Sequence, residues 1–297
     1  MDDGLQAARM LDGVANGHKC PDRLDRSMPR LASILFLAAF AVSGCLAEHR
    51  QPPAPTLEPP APAPMESDLA WELTDCAYAN WIIPADRAAL QGHLPAGFEP
   101  EPLGLVPGSD QAFVGVLAMD CAPANGSSER TSFGSIFTGV RAPGQFPAPA
   151  GGQYWRFASL DSDADFRSEL TGRGIPVEDG MTRAAATPGG QASTWEAMLH
   201  LDSQGHLAMT GIAVTPPGTP SAVSFREFSN STHGLAVWNA TATSTAVYTG
   251  QGIWSSDAGS FVEQVTGLRQ GAASFTAGTW SIKGSIASVH WPAGHVH

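Results

Sequence analysis

Cys76 and Cys121 stand in two near-identical stretches, DCAYAN at 75–80 and DCAPAN at 120–125. Two such thiols can form one disulfide, stay free, or supply half of a soft metal site. A metal needs further soft ligands at short spacing, and neither CxxC nor HxxxH stands near either cysteine. The likeness ends at the sixth letter, with WIIPAD after one copy and GSSERT after the other, so it does not mark a repeat. The choice between a disulfide and free thiols turns on the redox compartment.

Other reactive side chains are few. The chain has two lysines, Lys19 and Lys283. In TWSIKGSIASV, alternation puts Trp280, Ile282, Gly284 and Ile286 on one face and Lys283 on the other with Ser281 and Ser285, so Lys283 is expected to face outward. Arg226 and Glu227 lie side by side in FREF. His200 and His206 flank Asp202 across an expected hairpin turn at 201–205, which reads as a polar turn rather than a metal site. His290, His295 and His297 end the chain as HWPAGHVH; imidazoles this close can catch a transition metal, but a tail is the plainer reading and no metal is expected. There is no GxSxG elbow, hence no signal for a serine triad, and no cofactor is expected. Asn125, Asn230 and Asn239 open N-x-S/T sequons, which otherwise report surface turns.

The front of the chain sets the compartment. Leu31 to Val42 reads LASILFLAAFAV, too short to span a bilayer, which takes about 20 residues, but suited to the apolar region of a secretory signal. Arg30 precedes it, and Val42-Ser43-Gly44-Cys45 follows. This resembles the lipobox of prokaryotic lipoproteins, which implies cleavage before Cys45 and lipidation of its thiol. Residues 1–27 are polar and mixed in charge, unlike a signal, so translation is expected to start at Met28, with 28–44 the signal peptide. Residues 45–67, rich in Pro and Ala, read as an extended spacer. Outside the cytoplasm Cys76 and Cys121 are expected to pair, and closing a loop of about 45 residues stabilises by about 4 kcal/mol in the chain-entropy model.

The folded part is expected over 68–291 as a single domain, with 292–297 a histidine-containing tail. The whole chain carries a net charge of −12, and residues 45–297, with 11 basic and 23 acidic residues, keep that value. No basic stripe supports a nucleic-acid partner. Strand-like segments recur at 112–119, 154–160, 194–201, 207–215, 223–228, 235–241, 245–254 and 272–289, separated by Gly, Pro, Asn and Ser turns. Two helices are legible, Pro84 to Leu94 and Asp163 to Leu170. The pattern predicts a mainly β fold, a β-rich α+β domain with one or two short helices at the edge of a mainly antiparallel sheet. Glycines inside strands, as in Thr249-Gly250-Gln251-Gly252, suggest bends or barrel corners.

IIPADRAALQGHLPAGFEP (82–100) resembles the N-terminal signature of acetoacetate decarboxylase-like proteins, and YWRFASLDSDADFRSELTGRGIPVEDG (154–180) is similar to a segment of their relatives. The resemblance covers about residues 73–180 and implies a closed, cone-like antiparallel barrel with an internal apolar pocket. Those decarboxylases use a lysine that forms a Schiff base with a β-keto acid, and their signature places Arg-Glu shortly before Pro-Lys. Here Arg226-Glu227 is followed by FSNSTHG, without that lysine, and Lys283 lies where the family pattern has none. If the pair points inward as in that family, Arg226 and Glu227 are the expected ligand-binding residues.

These readings converge on a lipid-anchored protein of the cell envelope, on the extracytoplasmic side of a membrane. Its partners are expected to be that membrane, through lipidated Cys45, and a small apolar or carboxylated ligand held in the barrel without catalysis. The alternatives are a lyase or hydrolase acting through Lys283 or Glu227, and an envelope interaction module without a ligand.

Overall fold

A computed structural model describes residues 69–103, 110–122, 130–188, 192–213, 221–289 and 291. The expected signal, lipidation site, spacer and tail, with Cys45, His290, His295 and His297, lie outside the described residues. The described elements run β1 (Leu69–Asp86), α1 (Arg87–Gln91), β2 (Glu99–Pro100), β3 (Gln111–Cys121), β4 (Thr131–Arg141), β5 (Gln153–Asp161), α2 (Ala164–Gly172), β6 (Gly180–Pro188), β7 (Ser193–Leu201), β8 (Gly205–Ala213), β9 (Ser221–Ser231), β10 (Gly234–Ser256), α3 (Phe261–Thr266) and β11 (Gln270–Val289).

Seven strands close on themselves in the order β1-β3-β4-β5-β9-β10-β11, with β11 pairing β1 again. All these pairings are antiparallel except β5 with β9. The fold is therefore the mainly β barrel expected. Closure leaves no free edge among these staves. β10 continues past the barrel, and its second half pairs β8, from which β7 and β6 extend as a wing. The wing lies over the outside of β3 and β4. The Thr182 hydroxyl donates to the carbonyl of Met119, and Leu199 and Thr182 press on Gly134. Trp81, Val116, Trp195, Leu199, Trp254 and Phe275 fill the core between wing and barrel.

Period-2 alternation decides what faces inward, but two irregularities reset it. In β1 the register shifts between Leu73 and Cys76, where Asp75 takes a φ of 47°. The slip lets Trp71, Leu73, Cys76 and Tyr78 join one inner cluster although their numbers change parity. In β5, Phe137 pairs Arg156 while Ile136 pairs Ala158, so one extra residue re-aims the strand.

Three short helices are described, one more than expected. Each opens on an oxygen that accepts from the first turn: Asp86 from Ala89 N–H, Asp163 from Asp165 and Phe166 N–H, Ser260 from Glu263 N–H. The first starts later than the sequence suggests, because Pro84 and Ala85 still pair Phe113 and Ala112 as strand. Gly211 and Gly250 are the seat of the Phe275 ring, where a Cβ would collide with it.

Candidate functional site

The inner wall of the barrel carries apolar and aromatic side chains with a buried ion pair and a buried carboxyl among them. Arg156 comes from β5 and Glu227 from β9; the parallel register sets Tyr154 opposite Glu227, which in turn pairs Trp238 of β10. Arg156 Nη2 donates to Glu227 Oε2, with both side chains buried. The guanidinium also lies over two rings, 4.0 Å from the Trp238 centroid and 5.3 Å from that of Phe133. Trp238 is itself held by its Nε1–H, which donates to Ser229 Oγ. Arg156 Nε and Nη1 find no hydrogen-bond partner among the described residues.

Asp161 stands at the far end of the same strand, opposite Phe133 and fully buried. Its Oδ1 accepts from Asp163 N–H at 2.7 Å, whereas Oδ2 has no hydrogen-bond partner among the described residues. Burial outweighs that hydrogen bond and the nearby arginines and pushes the carboxyl up to about 7. Burial pulls Arg156 down to about 9, against the charge of Asp161, so it stays a cation at neutral pH. Ser135 adds a buried hydroxyl without a hydrogen-bond partner among the described residues. The site thus offers a desolvated cation with free donor vectors, an aromatic face, and a carboxyl able to gain or lose a proton near neutrality.

Arg226 and Glu227, expected to act together, part company: Glu227 faces the interior and Arg226 the outside. Arg226 Nε donates to Asn239 Oδ1 at 2.8 Å and Nη1 to the Pro147 carbonyl at 3.0 Å. Asn239, read as a sequon in a turn, is therefore mid-strand and engaged. Lys283 is exposed on the outer face, opposite Glu72 and Thr241, as alternation predicts. It lines the same outer groove as Arg226, of about 700 Å³. Cys76 and Cys121 form a disulfide. His200 and His206 stack with centroids 4.1 Å apart, and His200 Nε2 is 3.9 Å from Asp202 Oδ1. No cluster of three metal-binding side chains forms among the described residues.

Sequence reasoning passed over Arg156 and Asp161. A signal was present: Arg156 interrupts the aromatic run YWRF, opposite in alternation to Trp155 and Phe157. Nothing in the letters shows the slip that turns Ser159 and Asp161 to the same side.

No protein-family model matches the chain, and no curated protein does. Solved structures do. The enduracididine biosynthesis enzyme MppR complexed with pyruvate is 12% identical and superposes with a TM-score of 0.52, over 77% of this chain and 93% of MppR. MppR with the condensation product of pyruvate and imidazole 4-carboxaldehyde gives 12% identity and a TM-score of 0.52, over 77% and 92%. An acetoacetate decarboxylase-like enzyme from Sphingomonas wittichii RW1 is 10% identical, with a TM-score of 0.49 over 76% and 93%. The likeness is one of fold: the closed barrel with its short helices is the fold that this chain shares with MppR.

Proposed function

We propose that this domain binds a small carboxylate of the 2-oxo-acid class inside its barrel, on a protein anchored to the extracytoplasmic side of a membrane through lipidated Cys45. The observation that carries the ligand reading is Arg156, buried against Trp238, with Glu227 on one nitrogen and with Nε and Nη1 unpartnered. A buried donor without an acceptor is costly, and a carboxylate oxygen is the acceptor that satisfies a desolvated guanidinium N–H with a charge-assisted hydrogen bond. That MppR has been solved with pyruvate supports the same ligand class. The anchor rests on the order Arg30, apolar run, small residues, Cys45, followed by the Pro/Ala spacer. Binding without Schiff-base chemistry is supported by Lys283, whose amine is on the outer face.

A second reading has one observation in its favour. Asp161, with a free oxygen and a carboxyl near neutrality, suits proton transfer in a lyase that needs no lysine. Thermal unfolding with added pyruvate separates the readings. A carboxylate binder gains stability as ligand passes its dissociation constant, Arg156→Lys loses that gain, and borohydride leaves no adduct on Lys283. No stabilisation by pyruvate or other 2-oxo acids sinks the binding reading; consumption of the acid that is lost in Asp161→Asn moves the assignment to the lyase.

A further inference from the structure

The groove shared by Arg226 and Lys283 is on the outside of the barrel, remote in facing from Arg156. Its floor is built from the outward side chains of β1, β11, β10 and β9. Its wall is the connection between β4 and β5, which reaches over β9 through Pro147, Pro149 and Gly151 N–H, the last donating to the Ser224 carbonyl at 2.7 Å. Its volume, about 700 Å³, falls within the range of small-molecule sites.

Charge sets this groove apart from the rest of the surface. On a chain with a net charge of −12, arginines 87, 130, 156, 167, 173 and 269 all form ion pairs with carboxylates. Arg226 and Lys283 form none among the described residues, although Glu72, the cross-strand neighbour of Lys283, also lines the groove. Among the described residues Arg141 and Arg183 form no ion pair either, but each is exposed on another strand, and Arg141 acts on the carboxylate of Glu101. Arg226 is also fixed in place. Asn239 and the Pro147 carbonyl hold two of its nitrogens, so the third points its donors without an entropic penalty for ordering the side chain. Between the two cations the floor is hydroxylated: Ser224 and Thr241 share a hydrogen bond of 2.9 Å, and Ser285 stands beside Asn239.

We infer that this groove is a second binding site, for a monosaccharide-sized hydroxylated anion, a sugar acid or a sugar phosphate. The acidic group accepts from Arg226 Nη2, with Lys283 on the far side raising the local potential, and the sugar hydroxyls exchange hydrogen bonds with Ser224, Thr241 and Ser285. An inorganic anion uses only the cations, and a neutral sugar only the hydroxyls, so each alone binds weakly. The site is independent of the carboxylate reading for the barrel interior.

The test is calorimetric titration of the full-length chain with glucuronate, glucose 6-phosphate, inorganic phosphate and glucose. The expected result is binding of glucuronate or glucose 6-phosphate about tenfold tighter than of either control, weakening with added salt. Arg226→Gln and Lys283→Gln each reduce it about tenfold with the melting temperature unchanged, and Arg156→Lys leaves it intact. Absence of binding by both anionic sugars overturns the inference. So does inorganic phosphate binding as tightly as they do, or binding that survives in the Arg226→Gln/Lys283→Gln double variant.

Discussion

Arg156 packs its guanidinium on the indole of Trp238 while pairing with Glu227, whose backbone partner in the neighbouring strand is Trp238 itself. The three residues come from β5, β9 and β10, and the buried charge is stabilised from two sides, by a carboxylate and by an aromatic face. Ion pairs inside a protein cost much desolvation, and their value shows when one partner is removed. Arg156→Met is expected to destabilise the domain by about 3–5 kcal/mol, because Glu227 is left charged in an apolar interior. The double variant Arg156→Met/Glu227→Leu is expected to recover most of that loss. Urea unfolding of the two proteins checks both statements; a double variant no more stable than Arg156→Met contradicts this account.

Asp161 gives a pH dependence with a definite sign. Its carboxyl is raised by burial from 3.8 to about 7, so between those values the folded protein holds a proton that the unfolded chain has released. The contribution is fully present below pH 3.8 and is lost as the pH rises through about 7. Asp161→Asn, which stays neutral, is expected to gain stability over the parent progressively across that window. Denaturation midpoints of both proteins at pH 4 to 8 measure the difference, and a constant offset rules the assignment out.

The Cys76–Cys121 disulfide joins β1 to β3 next to the pair Ala77 and Asp120, across a sequence separation of 45. Reduction, or replacement of both by alanine, is expected to cost about 4 kcal/mol. Intact mass of the oxidised protein should be lower by two hydrogens than after reduction, and equal masses refute the bridge.

Glycine packing supplies a contrast inside one chain. Gly250→Ala places a methyl in the ring of Phe275 and against the Ile212 carbonyl, and overpacking of this kind costs about 1–3 kcal/mol. Gly172, at the end of α2, has nothing within 4 Å of such a methyl, so Gly172→Ala is expected to be neutral or to stabilise by up to about 1 kcal/mol. Thermal melts of the two variants in parallel read out the difference.

The β class, the capped helix at 164–172 and the outward Lys283 were legible because each follows from a local pattern: alternation, Asp163 before a short helix, or a single charge between apolar neighbours. β1 was not legible, since the slip at Thr74-Asp75 breaks its alternation and Pro84 reads as a helix start. β6, GMTRAAATP, has too little apolar bulk to show a period, and α3 spans six residues, too few for a helical one. The interior cluster depends on register between strands distant in sequence, and that information is not local.

The barrel joins its first described strand to its last long one, Leu69–Asp86 to Gln270–Val289. A ribosome or a translocation pore releases the chain from the amino end, so β1 emerges with one of its two partners about two hundred residues behind. Until β11 arrives, β1 and β10 each keep an unpaired rim of backbone groups, the surface on which strands of separate molecules join. Truncation within β11 is therefore expected to yield a sticky, open sheet rather than a smaller barrel. Closure of the barrel therefore waits on the arrival of β11, the strand that pairs both rims.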